Sequence, residues 1–376
     1  MKNYDSFDLV YLTVDSLSEG VGSSQITPLI SRLSKSGLKI KLISYEKSNP
    51  ELELVDYFKS LGVEWNFHSF GSYGLKGGAA RFNYLRQVIP NTKLIHARSD
   101  IPTVSAIASR QGPVLWDVRS LWADQKIMIQ KSIVNKALYH SYRGLESIAA
   151  NGSAGMSTLT SAVVPILEQR HRRLPQLRTV VPTAVDLEKF KLDPIMPSGV
   201  RALFSGTYND YYDLNLSALF MEAFRKCSLV ETHWARPSES SKSYIGVGES
   251  KVFPSSQVGM AELIPSYSFG VSVCKLDAGP SLAAAMPTKI GEFLACGRPV
   301  VVNKGLGDMD HLIQEFDAGV ILDGSSANLV ESATKMLRLL EDSDTPNRCR
   351  ELAEKHFSMD IGASRYLGLY SQLLKL

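Results

Sequence analysis

One stretch in the second half of the chain constrains the fold more than any other. It opens on Pro287, continues as a short apolar segment, and passes through Gly297 into the β-branched run Val300–Val302. Pro is favoured in the first turn of a helix and Gly directly after the last turn, so the segment between them predicts a short helix. The β-branched run predicts a buried parallel strand. A helix followed at once by such a strand is typical of an α/β domain.

Length and composition define the broad class of the protein. Its 376 residues are too many for one ordinary core and suit two domains. A hydrophobic content of 44% and a charged content of 21% are those of a soluble globular protein. The four cysteines form no C-x-x-C pair, so they predict neither a zinc site nor a disulfide framework. We therefore expect no cofactor and a reducing, cytoplasmic location.

The N-terminal residues lack a basic region followed by an apolar core, which predicts no signal peptide. The net charge of +3 is too small to predict nucleic-acid binding. Its distribution is uneven, because residues 1–195 hold 24 Lys and Arg against 17 Asp and Glu, whereas the remainder holds 17 against 21. The basic half, with its cluster Arg170–Arg173, favours an anionic acceptor or peripheral contact with the anionic inner face of the cell membrane.

The order of elements predicts two domains. The chain begins with a predicted strand, loop, helix and strand of Rossmann type, at Phe7–Val14, Asp15–Ser24, Ile26–Ser36 and Lys39–Ser44. A second alternation begins at Arg201, after a Pro-rich crossing. We predict an N-terminal Rossmann-like domain over residues 1–190, a C-terminal one over 191–355, and a final helix over 356–376 that packs back on the first. Ligands are expected beyond the carboxyl ends of the parallel strands.

The loop after the first strand contains two closely spaced glycines, Gly20 and Gly22. Glycines let backbone approach a ligand closely, and the helix that follows presents its N-terminus to a phosphate. The last glycine of a G-x-G-x-x-G fingerprint is replaced by Gln25, so the dinucleotide motif is incomplete. Gly22 and Ser23 are candidate ligand-binding residues, and a plain turn is the alternative.

Charged and aromatic residues follow two further predicted strands. His96 begins the run H-A-R-S-D, and Asp117 and Arg119 lie in the run W-D-V-R-S-L-W-A-D. Because both runs end parallel strands, they should open at the same edge of the sheet. Asp117 and Arg119, with His96 beside them, are the candidate catalytic residues at this edge. The alternative is a buried Asp–Arg pair that braces the loop.

The short helix that begins after Pro287 predicts an anion site. Free N–H groups near Thr288 and the positive end of the helix dipole suit a diphosphate. Lys289 adds a cation, and one turn further on Glu292 is placed to accept hydrogen bonds from sugar hydroxyls. The alternative for Glu292 is an acid that only stabilises the helix N-terminus.

The sequence motif P-x-K-x-x-E-F-L-A-C-G-x-P-V-V at residues 287–301 resembles the donor-site helix of family-4 retaining glycosyltransferases. The H-A-R-S and D-x-R-x-x-W-A-D runs are similar to those of one branch of that family. The resemblance implies a GT-B fold, in which two Rossmann-like βαβ domains face each other across a cleft. It also implies metal-independent transfer of a sugar from a nucleotide-diphosphate sugar, with retention, to a glycan or lipid-linked acceptor. Bacterial surface polysaccharide, lipopolysaccharide included, is the expected product.

Two departures from the family pattern leave other functions open. The Arg and Lys that usually neutralise the leaving diphosphate are absent from residues 207–212, so Arg236 and Lys289 are the candidate substitutes. Ala284 stands where many relatives have the first of two glutamates. A nucleotide-sugar epimerase of GT-B fold and a catalytically degenerate scaffold are therefore alternatives. Two D-x-D triplets, at 308–310 and 342–344, are interpreted as a helix start and a polar loop rather than a metal site.

Overall fold

A computed structural model of the chain describes residues 7–72, 74–129, 133–206, 209–235 and 257–375. The chain divides into two compact units. Unit 1 consists of residues 1–123, 133–181 and 359–376, and unit 2 consists of residues 124–132 and 182–358.

Each unit is built on a parallel sheet. The strands are β1 (Leu9–Leu12), β2 (Ile40–Glu46), β3 (Glu64–Ser69), β4 (Ile95–Arg98), β5 (Val114–Val118), β6 (Gly155–Thr158), β7 (Leu177–Val180), β8 (Arg201–Ser205), β9 (Glu231–Ala235), β10 (Phe269–Ser272), β11 (Val300–Asn303) and β12 (Gly319–Leu322).

Helices alternate with these strands. They are α1 (Thr27–Ser34), α2 (Leu52–Ser60), α3 (Gly74–Val88), α4 (Asp100–Ser109), α5 (Trp122–Ile129), α6 (Ile133–Gly152), α7 (Val164–Arg170), α8 (Leu214–Arg225), α9 (Gln257–Leu263), α10 (Pro280–Ala283), α11 (Thr288–Ala295), α12 (Met309–Phe316), α13 (Ser326–Glu341), α14 (Thr345–Leu352) and α15 (Met359–Leu373). Short π or 3₁₀ turns lie at Gly22–Ile26, Ile264–Ser266 and Ala353–Phe357. In the part of the chain described, no helix is both long enough and apolar enough to cross a membrane.

The strand orders confirm the predicted α/β class. Within the described residues, the sheet of unit 1 has the order β3-β2-β1-β4-β5-β6-β7, and that of unit 2 has the order β12-β11-β10-β8-β9. All neighbouring strands run parallel. The order places β1, β4 and β5 side by side in unit 1, and β8, β10 and β11 side by side in unit 2. The loops that follow these strands therefore meet at one edge of each sheet.

The stretch from Pro287 to Val302 folds as predicted, into a short helix followed by a strand. Helix α11 begins at Thr288 with Pro287 as its N-cap, and Gly297 follows its end with a φ of +79°. The run that begins at Val300 forms the buried strand β11. The side chain of Arg298, fully buried, donates hydrogen bonds to the carbonyl oxygens of Asp193, Ile195 and Pro265 at 2.8–2.9 Å. This arginine therefore fixes the α11–β11 turn to the segments that lead into β8 and β10.

The core of unit 2 combines aliphatic and aromatic side chains. One cluster joins the sheet to α8 and α13 and includes Phe204, Phe220, Phe224, Trp234 and Phe269. On the α11 side, the ring of Phe293 packs directly over the backbone of Gly270 in β10. A Cβ added at Gly270 would lie 2.2 Å from that ring, so only glycine fits there. This contact sets how closely α11 approaches the sheet.

We expect Gly270→Ala to lower the free energy of unfolding of unit 2 by about 1–3 kcal/mol, because the added methyl overpacks Phe293. Gly144→Ala in helix α6 is the matched control, since a Cβ there meets nothing within 4 Å. Alanine favours the helix by up to about 1 kcal/mol, so the control should be neutral or stabilising. Urea unfolding of both variants checks this, and equal midpoints would contradict it.

Candidate functional site

The glycine loop of unit 1 is shaped by a close backbone approach. A Cβ at Gly22 would lie 1.8 Å from the carbonyl oxygen of Ser16, so no side chain fits at this position. Gly20 has a φ of +55°, and the hydroxyl of Ser23 donates to its carbonyl oxygen at 3.0 Å. Gly22 and Ser23 open a π-helical turn that leads into α1. The predicted loop is therefore a tight turn placed at the carboxyl edge of β1.

A carboxylate that sequence analysis did not single out holds the loop in place. Glu46, 2% exposed at the end of β2, accepts hydrogen bonds from the hydroxyls of Ser16, Ser18 and Ser44 and from the amide of Leu17 at 3.0 Å. These bonds compensate the burial of its charge. The available signal was the acid at the end of an otherwise apolar strand, one strand away from a serine-rich loop.

His96 and Asp117 lie inside strands β4 and β5 rather than in the loops that follow them. Both side chains are buried, with exposures of 0% and 1%. The Nε2 atom of His96 and the Oδ2 atom of Asp117 are 3.4 Å apart. The strand order therefore brings together the two residues that the sequence placed at one edge, and it places them within the protein interior.

The carboxylate of Asp117 is the centre of a polar network. Its Oδ1 atom accepts hydrogen bonds from the hydroxyls of Ser157 at 2.9 Å and Tyr366 at 3.1 Å. Burial alone would raise the pKa of Asp117, but the cations Arg119 and Arg98, together with His96, hold it well below its usual range. Asp117 is therefore charged at neutral pH, and this charge is the counter-ion of the surrounding guanidinium groups.

The imidazole of His96 is packed among tyrosines. Its Nδ1 atom is 2.6 Å from the hydroxyl of Tyr370, and its ring lies against those of Tyr11 and Tyr366 with centroids 4.4 Å and 4.8 Å away. Burial lowers the pKa of His96, against the opposing effect of Asp117. A neutral imidazole fully enclosed in this way positions its neighbours rather than contacting bulk solvent.

Two arginines complete the network at the edge of the sheet. Arg98, from β4, donates to the carboxylate of Asp15 at 2.8 Å and lies 3.7 Å from Asp117. Arg119, directly after β5, has one terminal nitrogen 3.6 Å from Asp117 Oδ1. The predicted Asp–Arg pairing is thus present. It also includes Arg98, which the sequence analysis quoted within its motif without giving it a role.

The last helix of the chain supplies part of this network. Tyr366 and Tyr370 of α15 are one helical turn apart and lie on the same face, so their hydroxyls reach Asp117 and His96 respectively. Both residues are buried. Sequence reasoning missed them, and the signal that could have found them is the Tyr-x-x-x-Tyr spacing on an otherwise apolar helix face.

In unit 2 the candidate donor residues lie at the start of α11. Thr288, Lys289 and Glu292 occupy its first two turns and are all partly exposed. The Nζ atom of Lys289 lies 4.3 Å from the centre of the Tyr212 ring. It is also close to Gly206 after β8, where a Cβ would lie 3.8 Å from it. The lysine therefore reaches from the helix to the carboxyl edge of β8.

Burial has a larger effect on the pKa of Lys289 and of Glu292 than either group has on the other. Burial lowers the pKa of Lys289 to about 7, against the opposing effects of Cys274 and Glu292. Burial raises the pKa of Glu292 to about 7, against the opposing effect of Lys289. Both groups consequently titrate close to neutral pH, and perturbed pairs of this kind are typical of functional sites.

The segment that joins the two alternations supports the start of α11. The hydroxyl of Thr183 donates to the carbonyl oxygen of Met286 at 2.7 Å. Val185 packs against Gly291, where an added Cβ would lie 2.8 Å from its methyl group. These contacts lie within unit 2 and hold the N-terminal end of the helix in a fixed position.

Other predicted features have clear outcomes. Arg236 lies outside the described residues, as do residues 207 and 208 of the loop after β8. Asp310 accepts from the amide of Gly305 at 3.0 Å at the start of α12, and Asp342 and Asp344 pair with Arg348 at 2.8 Å and 3.3 Å. The first D-x-D triplet thus lies at the start of α12, and the second lies in the loop between α13 and α14.

Comparison with solved structures finds the same architecture over nearly the whole chain. A sucrose-phosphate synthase from Thermosynechococcus elongatus has a TM-score of 0.65 and 13% identity, covering 98% of this chain and 99% of that chain. HepE of Anabaena, in complex with UDP and glucose, has a TM-score of 0.66 and 11% identity, covering 97% and 100%. The lipopolysaccharide outer core galactosyltransferase WaaB has a TM-score of 0.65 and 11% identity, covering 98% and 99%.

Neither a protein-family model nor a curated protein matches the sequence. The structural likenesses, at identities of 11–13%, show the fold alone. This chain has the GT-B fold with two Rossmann-like domains, as predicted.

We expect Asp117→Asn to lower the free energy of unfolding by about 3–5 kcal/mol, because it leaves two buried guanidinium groups without their shared counter-ion. Glu168→Gln is the matched control in the same unit, since Glu168 pairs with Arg178 at 2.7 Å on the surface. An exposed pair contributes little, so this change should stay within about 0.5 kcal/mol. Denaturant unfolding measures both, and a small effect of Asp117→Asn would show that the network is not structural.

Proposed function

We propose that the protein is a retaining glycosyltransferase that moves a sugar from a nucleoside-diphosphate sugar to a glycan or lipid-linked acceptor. The observation that carries the proposal is the placement of Lys289 and Glu292 in the first two turns of α11, with Lys289 close to Gly206 at the carboxyl edge of the unit 2 sheet. A cation for a diphosphate and an acceptor for sugar hydroxyls lie one helical turn apart.

Lys289 has the role of neutralising the charge that develops on the leaving diphosphate. Departure of a nucleoside diphosphate needs such electrostatic stabilisation, and the helix N-terminus beside Thr288 adds to it. The approach of Lys289 to Gly206 brings its charge to the end of β8. The loop after this strand is where the family-4 glycosyltransferases that the sequence resembles carry their phosphate-binding cations. One lysine on α11 thus replaces cations that the loop lacks.

Glu292 has the role of fixing the donor by accepting hydrogen bonds from the hydroxyl groups of the nucleotide sugar. A carboxylate accepts two hydrogen bonds and therefore suits a vicinal diol, as in a ribose. Within unit 1, the candidate residues are Gly22 and Ser23 at the glycine turn and Arg119 at the end of β5. Asp117 and His96 act as positioning residues, because both are buried and hold the arginines of this edge.

The donor and acceptor class rest on similarity to other proteins. HepE is described in complex with UDP and glucose, and WaaB as a lipopolysaccharide outer core galactosyltransferase. UDP-hexose is accordingly the first donor to test, and a surface polysaccharide is the first acceptor class. For membrane contact, Arg172 and Arg173 are exposed, whereas Arg170 and His171 turn inward towards Glu146 at 3.6 Å and 2.7 Å. The exposed pair alone would attract an anionic surface.

A thermal-shift screen against UDP, GDP, CMP, ADP and dTDP tests the donor site. We expect one nucleotide to raise the unfolding midpoint, since a ligand that binds only the folded state stabilises it. Glu292→Ala should weaken its binding about 10- to 100-fold, the value of one or two charge-assisted hydrogen bonds. Glu331→Ala, an exposed glutamate of α13, is the matched control and should bind as the wild type does.

The absence of any nucleotide-dependent shift would favour the degenerate scaffold. An isomer formed when the UDP-sugar is incubated alone would favour the epimerase.

The affinity for UDP should be greatest near neutral pH. Lys289 loses its proton as the pH rises through about 7, which removes the charge that attracts the diphosphate. Glu292 gains a proton as the pH falls through about 7, which removes its acceptor capacity. Titration calorimetry from pH 5.5 to 9 measures the profile. Lys289→Met should abolish the alkaline decrease only, and Glu292→Gln the acid decrease, whereas profiles unchanged by these substitutions would refute the assignment.

A further inference from the structure

Arg119 is a buried cation whose hydrogen-bonding capacity is largely unused. Its side chain is 10% exposed, and its Nε atom is buried without a hydrogen-bond acceptor among the described residues. Its contact with Asp117 is 3.6 Å, which is too long for a hydrogen bond. A guanidinium offers five donors, and buried donors in native proteins are normally satisfied.

Asp117 cannot fully satisfy Arg119, because its charge is already shared. The Oδ1 atom that faces Arg119 accepts from Ser157 and Tyr366. The other oxygen lies 3.7 Å from Arg98 and 3.4 Å from His96. Arg98 in turn has a second carboxylate, Asp15, at 2.8 Å, whereas the described residues give Arg119 only the distant contact with Asp117.

The surroundings of Arg119 contain a further donor without an acceptor. The hydroxyl of Tyr11 is buried and has no hydrogen-bond partner within the described ranges. Burial raises the pKa of Tyr11 to about 12, and the nearby Arg98 and Arg119 oppose this rise, so its hydroxyl keeps its proton and stays a donor. Among the described residues at this edge of β1, β4 and β5, the buried polar atoms without a hydrogen-bond partner are Arg119 Nε, the Tyr11 hydroxyl, His96 Nε2 and the carboxylate oxygen Asp117 Oδ2.

We propose that Arg119 binds an oxyanion of the acceptor, a carboxylate or a phosphate carried on a sugar. The planar fork of a guanidinium matches both groups in a bidentate geometry, and such bonds are about twice as strong as neutral ones. The position fits a ligand, because Arg119 directly follows β5 at the carboxyl edge of the parallel sheet. The inference rests on the proposed function and narrows it to an acidic or phosphorylated acceptor.

Titration calorimetry on the full chain, saturated with UDP, tests the proposal. The probes are glucuronate and glucose 6-phosphate, with glucose as the neutral control. We expect at least one anionic probe to bind at least tenfold more tightly than glucose. Arg119→Gln should weaken that binding about 10- to 100-fold, and Arg119→Lys, which keeps the charge but loses the fork, should weaken it less. Arg178→Gln, at the surface of the same unit, is the matched control and should have no effect.

Three outcomes would overturn the proposal. The first is equal anion binding by the wild type and Arg119→Gln. The second is the failure of both anionic probes to bind more tightly than glucose. The third is a loss of UDP affinity in Arg119→Gln, which would assign Arg119 to the donor diphosphate. Circular dichroism and the thermal unfolding midpoint of the nucleotide-free variant show whether it is folded.

A failure of the proposed function can be distinguished from a failure of the Arg119 assignment. If no nucleotide binds, the same anion titrations on the nucleotide-free protein still compare wild type with Arg119→Gln. Lys289→Met then shows whether a phosphate probe occupies the α11 site instead, because an effect confined to Lys289→Met would also overturn the assignment to Arg119.

Discussion

The buried charge of Asp117 is the constraint on which the first unit depends. A carboxylate with 1% exposure is tolerable only when hydrogen bonds and cations compensate its lost hydration. Ser157 and Tyr366 supply the hydrogen bonds, and Arg98 and Arg119 supply the charge. One side chain thus connects three neighbouring strands, β4, β5 and β6, with the last helix. The positions of Arg98 and Arg119 at the carboxyl edge of the unit 1 sheet therefore follow from the need to compensate the buried charge of Asp117.

The second unit uses burial in a different way. In unit 1 opposite charges hold one another in their ionised forms, whereas around α11 burial brings the pKa of both Lys289 and Glu292 to about 7, so that each is only partly charged at neutral pH. Packing provides the necessary rigidity, because Phe293 over Gly270 and Val185 against Gly291 fix the helix from two sides.

Sequence reasoning reached the α/β class and the α11–β11 unit because Pro287, Gly297 and the β-branched run act locally. It placed no elements between residues 52 and 88, since β3 is an edge strand with mostly exposed side chains and lacks the apolar signal of a central strand. It brought His96 and Asp117 to one edge and kept a buried Asp–Arg pair as an alternative, but it did not place His96 in the interior. Glu46, Tyr366 and Tyr370 were missed because their roles arise from contacts between residues distant in the chain.

The distance along the chain between Asp117 and Tyr366 has a consequence for biosynthesis. The two residues are 249 positions apart, and all of unit 2 is synthesised between them. While the ribosome makes that unit, the central carboxylate of the first lacks one of its two hydroxyl donors, and the groove that α15 will fill stays uncovered. Unit 1 therefore completes its folding after unit 2 has emerged from the ribosome. Contacts between residues so far apart in the sequence form late in folding. Unit 1 is therefore complete only when the last helix of the chain has been synthesised.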